Sequence, residues 1–350
     1  MSEFRMIKIA SGTPRQRGED YGTQAREEIH VAVEAYKAHF DKNRGMGWEA
    51  VRQAAAAHIA PVEAALPHLM EEIRGIADGS GTDVHDIMAI NCRYEILHFP
   101  RQPECTSFAI LGDATADNHV YVGQNWDNRP FAMKHSVLLH TTLEDGRRVM
   151  GLTEGGQLLR NGISTAGVGL AANSLHSTHD FAGTGIPVSI LRRHLLAMDS
   201  ADDMRQYVLG AARSVSVNYM LADSAGRAFD VEAIPGEPYV YEPVNGILTH
   251  ANHILGNIQI DAQKRGRFRG ERLHELLSQQ QGSITLPFIM ECLKDHHGYP
   301  ESICSHISES DDGPHKLWHT NASLIFDLTA LKLWLCWGPP CSGTYKEYAL

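Results

Sequence analysis

Among the six cysteines of this chain, Cys105 stands in a sequence context that the others lack. It follows Pro100-Arg101-Gln102-Pro103-Glu104, where two prolines forbid a helix and hold the backbone extended. It also opens the first run of short period-two segments, so a stiff backbone presents its thiol at the end of a sheet. A thiol so placed reads as a nucleophile. Cys92, Cys292 and Cys336 lie inside apolar periodic runs and read as small buried hydrophobes. A papain-type enzyme is disfavoured, because it needs its cysteine at a helix N-terminus. His296, His297, Cys304 and His306 crowd together along the chain without a recognised zinc spacing, and no metal centre is expected.

The elements around Cys105 change character near residue 104. Before it, Tyr21, Ala25, Ile29, Ala32, Val33, Tyr36 and Phe40 recur at helical steps, and further helical runs cover 48–65, 67–77 and 83–97. The first hundred residues read as almost purely helical. From Cys105 onward, short alternating segments predict strands over 106–111, 120–126, 136–143, 147–153, 168–172, 218–222, 228–233, 247–251, 324–327 and 332–337. Glu144-Asp145-Gly146 marks a hairpin turn between two of them. Helices interrupt at 187–198, 201–212, 270–279 and 286–294. Antiparallel strands with helices segregated into blocks imply an α+β sandwich of stacked sheets covered by helix layers.

Bulk properties narrow the function. A chain of 350 residues, 43% hydrophobic and 21% charged, is globular. Its formal charge of -11 and thinly spread Lys and Arg leave no basic face for phosphates, so nucleic acid is excluded as a partner. The opening residues lack a signal-type apolar stretch, no window is long enough to span a membrane, and a cytoplasmic location without disulfides is expected.

Cys105-Thr106-Ser107-Phe108 followed by Gly123-Gln124-Asn125-Trp126-Asp127 resembles the start of the β chain in the acyl-coenzyme A:6-aminopenicillanate acyltransferase family, peptidase family C45. Its wider relatives are penicillin V acylases and bile salt hydrolases. Gln16-Arg17-Gly18 through Tyr21-Gly22, Ile73 to Ala77 with Asp83-Val84, Gly167 to Leu170 with Asn173, Leu248 to His253, and Gly338 to Tyr348 are similar to family segments in the same order.

The resemblance implies a four-layer αββα sandwich of the N-terminal nucleophile hydrolase type with an added N-terminal helical segment. It implies self-cleavage between Glu104 and Cys105, giving a helical pro-segment 1–104 and a nucleophile domain 105–350 that stay associated. The freed α-amine then acts as base for its own thiol; the two titrate near about 8 and about 8.5, so no histidine is required. Asp127 matches the residue that orients the amine. Asn252 matches the oxyanion donor, and Asn173 a second asparagine of that pocket. Arg267 and Arg269 match a basic helix start that would bind substrate, as would Trp126. Gln124 stands where penicillin and bile acid hydrolases carry arginine, which favours the acyltransferase branch. Ser302 to His306 has serine where closer relatives are expected to have arginine, and Glu104 replaces a glycine.

The expected reaction is hydrolysis of an N-acylated small molecule through an acyl-Cys105 intermediate. Acyl transfer to an amine is the alternative, with a coenzyme A thioester as co-substrate and no bound cofactor. From another class, a non-enzymatic binding protein of the same fold stays open if the chain is never cut. A homo-oligomer stays open as well.

Overall fold

The computed structural model describes residues 4–97, 105–263, 267–308 and 317–350. Strand β1 (Arg5–Ile9) leads into seven helices: α1 (Pro14–Gln24), α2 (Arg26–Arg44), α3 (Trp48–Ala56), α4 (Ile59–Ala65), α5 (Pro67–Ser80), α6 (Val84–Asn91) and α7 (Arg93–Leu97). Strands β2 (Thr106–Ile110), β3 (Tyr121–Asn128), β4 (Ser136–Thr142), β5 (Arg148–Glu154), β6 (Gly162–Ser164) and β7 (Val168–Ser174) follow. Then come α8 (Val188–Leu195), α9 (Ala201–Gly210), β8 (Val217–Asp223), β9 (Ala228–Ala233), β10 (Tyr239–Tyr241) and β11 (Ile247–His250). Helices α10 (Phe268–Ser278) and α11 (Leu286–Cys292) and strands β12 (His319–Asp327), β13 (Lys332–Trp337) and β14 (Tyr345–Ala349) complete the chain.

The strands form two sheets, one ordered β1-β4-β5-β6-β7-β8-β9-β10 and the other β11-β2-β3-β12-β13-β14. Between them lie Val122, Trp126, Leu138, Leu152, Met220 and Leu324. The outer face of the larger sheet is covered by α1–α9 through a core that includes Ile29, Phe40, Ile73, Leu170 and Tyr219. The outer face of the smaller sheet is covered by α10 and α11 through Phe108, Tyr121, Leu273 and Ile289. This is the expected αββα order of layers. It also explains why β2 and β7 are buried at every residue rather than alternating: each is covered on both faces.

Helix ends follow local chemistry. Thr13 and Gln16 form a capping box ahead of Pro14 at the start of α1. Gly45 and Gly81, both with positive φ, terminate α2 and α5. Helices α1 and α5 touch at Gly18 and Gly22 against Gly75 and Gly79, and a Cβ built on Gly18 would lie 2.0 Å from the Glu72 carbonyl oxygen. No residue but glycine fits such an approach.

The N-terminal segment is not purely helical. Strand β1 pairs in parallel with β4, Arg5 opposite Val137 through Ile9 opposite Thr141, at the edge of the larger sheet. Its five residues bury only Ile7 and Ile9, too short an alternation to stand out in the sequence. The expected continuous helix over residues 13–40 divides at Ala25, and the expected terminal hairpin gains a third strand, β14.

Candidate active site

Strand register brings the chemistry to one end of the smaller sheet. Thr106 pairs with Asn125 of β3, and Ser107 with His250 of β11. Extending both ladders by one or two residues puts Cys105 between Trp126-Asp127 on one side and Asn252 on the other. Thr320, at the start of β12, pairs with Asp127. Cys105 is 2% exposed, and its φ of 89° lies where side-chain-bearing residues rarely sit. Such backbone costs on the order of 1–3 kcal/mol. Glu104 lies outside the described residues.

Asp127 is fully enclosed and its carboxylate accepts from three sources. Arg269 Nη1 donates to Oδ2 at 2.8 Å, Thr320 Oγ1 donates to Oδ1 at 2.7 Å, and the Cys105 backbone N–H donates as well. Burial pushes the Asp127 carboxyl up to about 6, against the opposing pull of Arg269, Thr320 and Cys105. Arg269 Nη2 also donates to Asn252 Oδ1 at 2.6 Å. Because a guanidinium only donates, this contact fixes the amide's orientation, and Asn252 Nδ2 donates to Ser174 O at 2.9 Å.

Arg269 therefore belongs to the site, but as a buried strut between Asp127 and Asn252, not as an exposed substrate clamp. Arg267 is 38% exposed at its side chain and pairs with Asp261 at 3.4 Å, away from this network. Lys264 of the same basic run lies outside the described residues. Trp126 forms no open wall for substrate: it is fully buried between the sheets, with the Arg160 guanidinium 4.4 Å from its ring centroid. The period-two pattern around residue 126 does not reveal that both faces of β3 are covered. Asn173 of β7 reaches across from the other sheet; its Nδ2 lies 2.8 Å from Ser107 Oγ, 3.1 Å from Asn218 Oδ1 and 3.2 Å from His250 O. Its donors are thus committed to holding β7, β8, β2 and β11 together.

Sequence reasoning missed Thr320 and a second buried charge cluster. Glu154 Oε1 accepts from Arg93 at 2.9 Å and Arg160 at 2.7 Å, while Oε2 accepts from Tyr36 at 2.5 Å and lies 3.1 Å from His135 Nε2. Burial alone would raise the Glu154 carboxyl, but Arg93, His135 and Arg160 outweigh it and hold it well below the usual carboxylate range. Arg160 also donates to Tyr94 Oη at 3.2 Å, and it is near enough to Cys105 that a thiolate there would favour its charge. Tyr94, Ser174, Val188, Arg192, Ser216 and Val217 line a cleft beside this cluster. Arg192 is 2% exposed there, lies 5.6 Å from the Tyr94 ring centroid, and meets no carboxylate among the described residues. No helix among the described residues is long and apolar enough to cross a membrane.

Residues 114–341 match the family described as acyl-coenzyme A:6-aminopenicillanic acid acyl-transferase. The acyl-coenzyme A:6-aminopenicillanic-acid-acyltransferase 40 kDa form of Emericella nidulans is 25% identical over 338 residues, covering 94% of this chain and 91% of that protein. The structure of penicillin V acylase from Agrobacterium tumefaciens superposes with a TM-score of 0.50 at 12% identity, over 70% of this chain and 86% of that one. A conjugated bile acid hydrolase from Clostridium perfringens gives a TM-score of 0.47 at 15% identity, over 70% of this chain and 97% of the other. The penicillin V acylase likeness bears on the fold, and agrees with the two stacked sheets and their helix layers.

Proposed function

Because the chain belongs to the acyl-coenzyme A:6-aminopenicillanic acid acyl-transferase family, we propose that it is an enzyme that cuts itself between Glu104 and Cys105 and then transfers acyl groups through Cys105. The observation that carries this reading is the hydrogen bond from the Cys105 backbone N–H to Asp127. That nitrogen is the one cleavage would release as an α-amine, and its orienting carboxylate is already in place.

In the uncut chain, the Cys105 thiol attacks the Glu104 carbonyl, the peptide becomes a thioester, and water hydrolyses it to a free Glu104 carboxylate and a free amine on Cys105. The positive φ at Cys105 is relieved when residue 104 leaves. The amine, held by Asp127, takes the thiol proton; the thiolate attacks an amide carbonyl; the leaving amine takes the proton, and water completes hydrolysis. Asn252, with its amide fixed by Arg269, donates to the oxyanion. Asn173 positions Ser107 and the end of β11. Fragments 1–104 and 105–350 remain joined through the shared sheet and the Glu154 cluster.

Hydrolysis of an N-acylated small molecule is the favoured reaction, and transfer to an amine, with a coenzyme A thioester as donor, is supported by the family and by the Emericella relative. Arg192 in the cleft would receive an anionic end of the substrate. Intact mass of purified protein tests the core of the reading: wild type resolves into 1–104 and 105–350, and Cys105→Ala stays whole. Full activity from a lasting uncut wild type would overturn it.

A further inference from the structure

A second cluster of reactive side chains lies outside the machinery above. His296, Cys304, His306 and Cys341 each bring one ligand atom to a common point, and the four atoms all lie within 4.8 Å of one another. His306 Nε2 is 3.0 Å from His296 Nε2, 3.5 Å from Cys304 Sγ and 3.4 Å from Cys341 Sγ. One imidazole nitrogen has either a single proton to give or a single lone pair to offer, so these three contacts cannot all be hydrogen bonds. A cation at their centre satisfies every one of them. Zinc bonds of about 2.3 Å to sulfur and about 2.0–2.1 Å to nitrogen set ligand-to-ligand edges of roughly 3.3–3.8 Å in a tetrahedron, close to the separations here.

We propose that His296, Cys304, His306 and Cys341 form a structural zinc site that ties the segment after α11 to the loop between β13 and β14. Two thiolates and two neutral imidazoles balance the dication, and two protons leave when it binds. Four protein ligands close the tetrahedron and leave no position for substrate, as in structural rather than catalytic zinc sites. A two-iron cluster would need more space between its cysteine pair and its histidine pair than 4.8 Å allows.

His297, adjacent in sequence, is not a ligand: its ring faces Phe268, 6.3 Å between centroids. Cys341 is 35 residues from His306, which is why spacing along the chain gave no zinc signature. The site is joined to the active centre by a short path. Between ligands Cys304 and His306, the Ser305 backbone N–H donates to Thr320 Oγ1 at 2.9 Å, and Thr320 donates to Asp127. The Thr320 N–H returns to Ser305 O at 3.0 Å. Zinc would hold this link in place.

Metal content tests the site without reference to catalysis, so it is measured on wild type and on Cys105→Ala alike. Protein expressed with added zinc and dialysed into metal-free buffer should carry about one zinc per chain. Cys341→Ser, at an exposed position, and His296→Ala should reduce this to below about a tenth, while Cys341→His restores it. Cobalt in place of zinc should give the intense visible bands of tetrahedral sulfur-nitrogen ligation. Folded wild type without zinc, full zinc in Cys341→Ser, or a Cys304–Cys341 disulfide seen as a mass lower by two hydrogens would each overturn the proposal.

Discussion

Asp127 and Glu154 are both buried carboxylates held by arginine, yet their surroundings drive them in opposite directions. Glu154 is met by two guanidiniums, a tyrosine and a histidine, and its charge is fixed far below neutrality. Asp127 shares one guanidinium with Asn252 and has one hydroxyl and one backbone N–H besides, so burial wins and its carboxyl rises to about 6. The difference lies in the number of positive partners, not in depth. Glu154 joins α2 and α7 to β5 as a permanent anion. Asp127 is left a poised one, beside the nitrogen that cleavage would turn into an amine.

The comparison breaks most sharply under amide substitution. Asp127→Asn keeps the shape but loses the charge that would orient the amine, and turnover should fall by up to about ten-thousandfold in a protein that still folds. Steady-state kinetics with circular dichroism on one preparation check both halves. Glu154→Gln should do the reverse. It strands Arg93 and Arg160 in the interior, so stability should drop by about 3–5 kcal/mol in urea titrations, whereas the fraction that stays folded keeps measurable turnover.

Asn252→Ala comes next. As an oxyanion donor its loss should lower kcat by about a hundred- to a thousandfold with KM little changed; a purely structural asparagine would show a lower melting temperature and normal turnover per folded molecule.

The pH dependence of stability separates the two carboxylates more finely. A group whose folded pKa lies above its unfolded value holds its proton more tightly when folded, so the Asp127 contribution falls as pH rises from 3.8 to about 6, by no more than about 3 kcal/mol. Glu154 works in the other sense: its contribution is complete above 4.5 and is lost on acidification. Urea midpoints of Cys105→Ala and of Cys105→Ala with Asp127→Asn, taken across that window, should differ in slope. The smallest expected effect is at the cleft, where Arg192→Met should raise KM about tenfold for an anionic substrate and leave kcat in place.

What the sequence made legible was local. The turn at Glu144-Asp145-Gly146 joins β4 to β5 as its residue types require, and the Leu143 N–H meets Arg147 O at 2.7 Å. Cys105, Asp127 and Asn252 each lie in a short motif next to a strand end, and strand register with Arg269 brings the three together. Arg269 was expected to meet substrate and is instead buried between Asp127 and Asn252, since nothing in a basic run says that one of its members turns inward. Thr320 is 193 residues from Asp127 and carries no motif of its own. Strands β1 and β14 were missed for a related reason: five-residue edge strands show too little alternation, β1 burying two residues and β14 none.

The position of β1 changes what stability means for this protein. Before the proposed cut, β1 and β4 are parts of one molecule, and their parallel pairing is a loop-closure problem for a single chain. After the cut, the same pairing is between two polypeptides, and dissociation followed by reassembly becomes a second-order process whose rate depends on dilution. A strand end severed at Cys105 would have no peptide carbonyl with which to remake its bond. If the chain folds as one and works as two, its lifetime at high dilution would be governed by how slowly the shared sheet opens, because reassembly then depends on the two fragments meeting again.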